Sequence, residues 1–181
     1  MRPLEPKEAE IVLERLRKYI GDNVANLLTR EDGEYVFRYH NNRVFYSSME
    51  VMKAANNVER KKVQMFGTCV GKFSGSGKFY LKITALNILA PYAKHKVWLR
   101  EKSDLQFTMG NNVLKSQVSR MTDGMESNDG VVLFTLNNIP LGFGVCQKST
   151  IAARQAPPTA LVVLRYADIG EYIRCENELI K

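Results

Sequence analysis

The amino-terminal segment has the apolar periodicity of a helix. Apolar side chains recur there at intervals of three and four residues, at Ala9, Val12, Leu13, Leu16 and Ile20. Charged residues fill the positions between them, which is typical of a helix that buries one face. Pro6 suits the first turn of this helix and Gly21 suits its end. The pattern therefore predicts an amphipathic helix between these two residues.

Two hairpins are predicted after this helix. Residues 35–39 and 43–46 are strand-like and flank Asn41-Asn42, and asparagine tolerates the positive φ of a tight turn. Residues 64–73 and 78–84 form a second pair of strands around Ser74-Gly75-Ser76-Gly77.

Short helical segments complete the first part of the chain. Ser47 and Glu50 have the spacing of a capping box and predict a short helix that ends at Ala55. Residues 85–90 predict one or two further helical turns before Pro91.

The second part of the chain is mostly β. Short apolar runs lie between turn residues, at 97–99, 131–136, 142–146 and 160–164. This pattern is typical of a small barrel. The sequence therefore predicts an α+β protein with a mixed α/β domain at residues 1–94 and a β-barrel domain at residues 95–181.

The glycine-bearing run at Gly142 and Gly144 carries the main functional hypothesis. Glycines inside a strand remove side chains, so that another backbone or a ligand can come close. Between Val131 and Ala167 the formal charges are Lys148, Arg154 and Arg165, all positive. A bare strand edge beside cations suits a polyanion such as nucleic acid.

Composition agrees with an acidic partner. The net charge is +7 and the sequence pI is about 9.3, which favours nucleic acid over an anionic membrane. The longest apolar runs are too short to cross a bilayer, and the amino terminus lacks the apolar core of a signal peptide, so we expect an intracellular protein. The three cysteines form no CxxC pair, and we expect neither a metal site nor a disulfide framework.

The motifs that would indicate catalysis fail on spacing or context. Residues 71–78 resemble a phosphate-binding loop, but five residues rather than four separate Gly71 from Gly77, and the loop joins two strands, so we interpret it as a hairpin turn. His40 and His95 belong to no nucleophile motif, and we interpret His95, which lies between two lysines, as solvated. We expect no catalytic residues and no cofactor.

Several blocks of the sequence resemble one family along the whole chain. They include Met1-Arg2-Pro3-Leu4, residues 67–73 and 90–98, Gly110-Asn111-Asn112-Val113-Leu114-Lys115, residues 140–150 and residues 167–174. These blocks are similar to those of the Nip-seven family of ribosome-biogenesis factors. The resemblance implies an antiparallel-sheet α/β domain that docks to proteins, followed by a PUA-type pseudobarrel that binds RNA.

The resemblance also implies partners and a location. Such proteins are nucleolar and nuclear, are needed to process precursor ribosomal RNA and assemble the large ribosomal subunit, and are not known as catalysts. The expected partners are precursor ribosomal RNA, with uridine-rich single strands preferred, and other assembly factors in the pre-ribosomal particle. We expect no membrane association and a monomer. The alternatives are a PUA-containing RNA-modification enzyme or accessory subunit, and a pure protein scaffold.

The predicted RNA contacts combine cations with the glycine strand. Backbone approach is assigned to Gly142 and Gly144, and the side chains expected to contact RNA are Lys148, Arg154, Lys115, Ser149, Arg165 and Arg174. Each cation has the alternative of a solvated surface charge, and Ser149 has the alternative of capping a loop.

Overall fold

The computed structural model describes residues 1–59, 62–63 and 65–177. Within these ranges the strands form two six-stranded sheets. Gln64, where the second predicted hairpin begins, lies outside these ranges, as do Arg60 and Lys61. The strands are β1 (Arg2–Pro3), β2 (Thr29–Arg30), β3 (Gly33–His40), β4 (Arg43–Ser48), β5 (Thr68–Phe73), β6 (Phe79–Leu81), β7 (Lys96–Leu99), β8 (Val113–Leu114), β9 (Val118–Met121), β10 (Gly130–Phe134), β11 (Pro140–Cys146) and β12 (Leu161–Asp168).

Short helices connect these strands. The α-helices are α1 (Pro6–Ile20), α2 (Ala25–Leu28), α3 (Met49–Ala55), α4 (Leu86–Leu89), α5 (Ser103–Thr108), α6 (Thr150–Gln155) and α7 (Glu171–Arg174). Three single turns of 3-10 helix are present at Gly21–Val24, Ile83–Ala85 and Lys115–Gln117. None of the helices in the described ranges has the length and apolar character needed to cross a membrane.

The chain divides into two compact units. The first comprises residues 1–17 and 22–85, and the second comprises residues 18–21 and 86–181. The sequence placed the boundary between residues 94 and 95. In the structure α4 and the last residues of α1 belong to the second unit, which a division by sequence pattern alone does not anticipate.

The first sheet has the order β1-β3-β4-β5-β6, with β2 paired to the start of β3, and its recorded pairings are antiparallel. Asn41 and Asn42 join β3 to β4 with φ of 48° and 61°, as the predicted tight hairpin requires. The predicted amphipathic helix is α1, with Val12, Leu16 and Ile20 buried.

The second predicted hairpin is confirmed, with strands shorter than the predicted 64–73 and 78–84: β5 begins at Thr68 and β6 ends at Leu81. The backbone N–H of Ser74 donates to the carbonyl of Lys78 at 2.8 Å, and Gly77 has a φ of +77°. This loop joins β5 to β6, so the resemblance to a phosphate-binding loop is superficial, as predicted.

The cap of α3 differs from the prediction. Ser48, and not Ser47, occupies the N-cap position, and its hydroxyl accepts from the N–H of Val51 at 3.3 Å. Ser47 is the last buried residue of the pairing between β3 and β4. The predicted box is wrong by one residue because strand pairing, which the spacing rule ignores, extends to Ser48.

The second sheet has the order β8-β12-β11-β10-β7-β9. Its pairings are antiparallel except for β7 with β10, which run parallel. It curls around a core that includes Val97, Val131, Leu133, Val162 and Val163, so the predicted barrel-like architecture is confirmed. The two edge strands, β8 and β9, were not predicted as strands.

The predicted bare glycine edge is wrong. Strand β11 lies between β10 and β12 in the interior of the sheet, and both Gly142 and Gly144 are buried. A Cβ at Gly142 would overlap the carbonyl oxygen of Ala167 and lie 2.9 Å from the Phe107 ring, and one at Gly144 would overlap the carbonyl oxygen of Leu164. The glycines allow close packing of β12 at register shifts, and they leave no open surface for a ligand backbone.

Candidate nucleic-acid interface

The two predicted lysines, Lys115 and Lys148, lie on either side of the beginning of β12. The N–H of Lys115, just after β8, donates to the carbonyl of Ala160 at 2.8 Å, and the N–H of Gln147, just before Lys148, donates to the carbonyl of Val162 at 2.8 Å. Neighbouring strands are about 4.8 Å apart, so the backbones at Lys115 and Lys148 are separated by about 10 Å. Residues 33 positions apart in the sequence therefore share one end of the sheet.

Both lysines are available to an anion. Each is partly exposed, and among the residues that the structure describes neither ammonium has a carboxylate within ion-pair distance. Two unneutralised cations about 10 Å apart can contact phosphates of the same strand, and such contacts supply most non-specific affinity for nucleic acid. We name this pair the lysine end of the sheet.

Ser149 and Thr150 fix the chain after Lys148. The Ser149 hydroxyl is the N-cap of α6 and accepts from the N–H of Ala152 at 3.3 Å. The buried Thr150 hydroxyl donates to the carbonyl of Thr122 at 3.0 Å and accepts from the N–H of Met125 at 3.2 Å. Capping is thus the observed role of Ser149, and its contact with RNA stays a prediction.

Arg154 already has an acidic partner. It is the fifth residue of α6, and its Nη2 lies 2.5 Å from Oδ1 of Asp123. Both side chains are largely exposed, at 58% and 82%, so this ion pair contributes less than about 1 kcal/mol. A phosphate can displace Asp123 at that cost, and the RNA contact of Arg154 stays a prediction.

Arg165 and Arg174 are engaged inside the protein. Arg165 donates to Asp168 at 2.8 Å and to Glu171 at 2.9 Å, while Arg174 donates to Asp168 and to the carbonyl of Thr108. Asp168 is fully buried. This cluster lies at the far end of β12, seven residues or about 23 Å from Leu161. The structure therefore does not bring these arginines to the lysine end.

His95 is buried, contrary to the prediction of a solvated side chain. It is only 5% exposed, and its Nε2 lies 3.3 Å from Oδ2 of Asp129 without the geometry of a hydrogen bond. Burial lowers the pKa of His95, and the Asp129 carboxylate partly opposes that shift. The flanking lysines suggested exposure, but the carbonyl of His95 pairs with Val132 and holds the residue against the sheet.

Cys146 is a core residue with no sign of reactivity. Its side chain is fully buried, and burial raises the pKa of the thiol to about 12. A thiol with so high a pKa is a poor nucleophile at neutral pH. Within the described ranges, no group of three or more histidine, cysteine and acidic side chains is arranged to hold a metal ion.

The fold defines the class of protein. A PUA-domain protein from Aeropyrum pernix K1 superposes on this chain with a TM-score of 0.63 at 15% sequence identity. The superposition covers 99% of this chain and 91% of the Aeropyrum chain. A conserved PUA-domain protein from Thermoplasma acidophilum superposes with a TM-score of 0.59 at 12% sequence identity, and the superposition covers 96% of this chain and 97% of the Thermoplasma chain. At such low identity these similarities establish the fold alone, a PUA-type barrel preceded by an α/β unit.

The sequence comparisons establish the family. Residues 1–83 match the NIP7/UPF0113 pre-PUA domain, and residues 95–177 match the UPF0113 PUA domain. The chain is 49% identical over 179 residues to the "60S ribosome subunit biogenesis protein NIP7 homolog" of Xenopus laevis, with 99% of each chain covered. The relative of the same name in Dictyostelium discoideum is 46% identical over 177 residues, with 98% of this chain and 99% of its own covered. The chain belongs to the NIP7 family.

Proposed function

We propose that this protein is a non-catalytic RNA-binding assembly factor in the biogenesis of the large ribosomal subunit. Its relatives from Xenopus laevis and Dictyostelium discoideum are both named as 60S biogenesis proteins, and each aligns with nearly the whole chain. It binds precursor ribosomal RNA within the pre-ribosomal particle, and its place of action is the nucleolus and nucleus.

The lysine end of the sheet is the observation that carries the RNA-binding part of this proposal. Backbone hydrogen bonds of Lys115, and of Gln147 next to Lys148, place the two lysines on either side of β12, and neither lysine is neutralised by a described carboxylate. Arg154 adds a third cation on α6, with Asp123 as an exchangeable partner. Phosphate contacts of this kind are largely independent of sequence, and they suit a protein that holds single-stranded segments of a long transcript.

The first unit supplies a surface for protein partners. A cavity of about 520 Å³ in this unit is lined in part by Met52, Val58, Val63 and Phe66, with Arg38 beside them. The lining combines these apolar side chains with polar ones, and its flexible methionines, Met1 and Met52, can adapt to helices or extended segments of other proteins. We therefore assign docking of other assembly factors to residues 1–94 and RNA binding to residues 95–181, with the protein acting as a monomer.

A binding titration tests the RNA-binding part. Fluorescence anisotropy of a labelled oligouridine of about 16 nucleotides is followed as the full chain is added at several salt concentrations. We expect saturable binding whose logarithmic affinity falls linearly with the logarithm of the salt concentration. A pure scaffold would give no saturable change, and that result would reject RNA binding.

A sedimentation experiment tests the assembly role. The tagged full chain, expressed in eukaryotic cells, should co-sediment in a sucrose gradient with precursors of the large subunit and be absent from mature ribosomes. Sedimentation only at the top of the gradient, as free protein, would contradict the proposal.

A further inference from the structure

A second cationic surface lies on the outer face of strands β9, β7 and β10. Along β7, Val97 and Leu99 are buried, so the alternate residues Lys96 and Trp98 face outward. Trp98 is paired across the sheet with Arg120 of β9 and with Phe134 of β10. We name this set the Trp98 surface: Lys96, Trp98, Arg120 and Asn138, together with the buried Phe134 ring that packs against Trp98.

The Arg120 guanidinium rests on the indole ring of Trp98. Its Cζ lies 4.1 Å from the ring centroid. The indole N–H donates to Oδ1 of Asn138 at 2.7 Å, and Nη2 of Arg120 lies 3.5 Å from the same oxygen. Asn138 is held in a turn with a φ of 61°. The amide therefore fixes the orientation of both planar groups, and Arg120, which is exposed, keeps its other side open.

The charge of Arg120 is not neutralised by a neighbour in the described ranges. Two other arginines also lie over aromatic rings, Arg2 over Tyr39 and Arg30 over Tyr35, but each has a carboxylate partner, Glu8 at 2.6 Å and Asp32 at 3.0 Å. In those two stacks a carboxylate of the protein neutralises the arginine, whereas Arg120 retains its charge and has one face of its guanidinium plane open to solvent.

Lys96 adds a second cation on the same face. Its Nζ lies 5.6 Å from the centroid of the Phe134 ring, and the Phe134 ring is stacked on Trp98 with centroids 6.1 Å apart. Lys96 and Trp98 are two residues apart along the strand, which corresponds to about 7 Å. A stacking platform and a phosphate-binding ammonium are thus placed within the reach of one nucleotide.

We propose that the Trp98 surface binds a nucleobase of single-stranded RNA. The base stacks on the open face of the Arg120 guanidinium, and Lys96 contacts an adjacent phosphate. Unstacked bases bind in this way to arginine planes and aromatic rings, largely without regard to sequence. Leu136 and Ile139 lie exposed beside the surface, so a protein partner is the competing outcome, but unneutralised cations on planar rings favour RNA.

This proposal extends the RNA-binding function to a second contact region. Phe134 pairs with Pro140 at the start of β11, whereas Lys148 follows the end of β11. The seven residues of β11 correspond to about 23 Å. A strand that contacts both regions therefore runs along the length of the sheet, and the two regions can be tested separately.

Intrinsic fluorescence tests this proposal directly, because Trp98 is the single tryptophan of the chain. Oligouridine of about 16 nucleotides should produce a saturable change in tryptophan emission at the same concentration that gives half-saturation by anisotropy. An abasic oligomer of equal length keeps the phosphates but offers no base, so it should leave the emission nearly unchanged.

Variants separate stacking from charge. Arg120→Lys keeps the charge but removes the planar group, and we expect the affinity for oligouridine to fall about fivefold. Arg17→Lys makes the same chemical change on the exposed side of α1 and should leave the affinity unchanged. Circular dichroism of each variant confirms that the fold is retained.

Three outcomes would overturn the proposal. If Arg120→Lys bound oligouridine with the wild-type affinity and RNA left the tryptophan emission unchanged, base binding at the Trp98 surface would be rejected. RNA binding at the lysine end would not be affected by that result. An emission change caused only by a pre-ribosomal protein would assign the surface to that protein instead. Absence of any RNA binding by the wild-type chain would reject this proposal together with the proposed function.

Discussion

The guanidinium of Arg174 binds both carboxylate oxygens of Asp168, with Nη2 2.9 Å from Oδ1 and 2.8 Å from Oδ2. Asp168 ends β12 and is fully buried, and Oδ1 also accepts the N–H of Gly170 at 2.8 Å. Arg174 in turn donates to the carbonyl of Thr108, at the end of α5. One buried carboxylate therefore joins β12, α7 and α5.

Asp168→Asn should destabilise the protein by about 2–3 kcal/mol, because Arg174 loses its carboxylate partner and Arg165 keeps only Glu171. The free energy of unfolding is measured by urea denaturation. Asp123→Asn is the matched control, since it removes the exposed partner of Arg154 and should cost less than about 1 kcal/mol. Equal effects of the two substitutions would contradict a structural role of the Asp168 cluster.

Gly142→Ala should destabilise the protein by about 1–3 kcal/mol, because the new methyl group overlaps the backbone of β12. Gly75→Ala is the control, since its Cβ would meet nothing within 4 Å. Both are compared by their urea midpoints at constant pH. An unchanged midpoint for Gly142→Ala, combined with weaker RNA binding, would instead support an exposed glycine edge.

Stability should decrease as the pH falls below about 6.5 because of His95. Burial lowers the pKa of His95 below its ordinary value of 6.5, so the unfolded chain binds a proton that the folded chain does not. The stability that neutral His95 contributes is fully present above about pH 6.5, and it is lost as the pH falls from there toward the lower pKa of the folded state. Urea midpoints measured between about pH 7 and about pH 5 should therefore decline.

His95→Gln removes this titration and should flatten the decline. The carboxylates and His40 remain in the variant, so any slope that persists belongs to them. If the variant and the wild type showed parallel slopes over this interval, the assignment to His95 would be incorrect.

Local sequence patterns predicted much of the fold. The helix at Pro6–Ile20 and the turn at Asn41-Asn42 follow from local periodicity and backbone preference, and both are observed. The edge strands β8 and β9 were missed because edge positions do not require continuous apolar runs: Ser119 and Arg120 in β9 are exposed. The parallel pairing of β7 with β10 depends on a long connection that no local pattern specifies.

The site was less predictable, because the three predicted arginines, unlike the two lysines, have carboxylate partners in the structure. The charged residues between Val131 and Ala167 are all cations, but Asp123 and Asp168, the partners of Arg154 and Arg165, lie outside these bounds. Asp168 neutralises Arg165, three residues before it, a spacing that is visible in the sequence. By contrast, the approach of Lys115 to Lys148 follows from strand order and could not be deduced locally.

The most direct test of the account is the salt dependence of RNA affinity when both lysines at the lysine end are removed. Lys115→Ala combined with Lys148→Ala is compared with wild type and with Lys72→Ala combined with Lys78→Ala, which removes the same charge from exposed positions of the first unit. We predict that the slope of log affinity against log salt becomes shallower by about 1.4 in the first double variant, as expected for the loss of two phosphate contacts to a single strand, and is unchanged in the second. Equal slopes and affinities in all three proteins would contradict the placement of RNA at this end of the sheet.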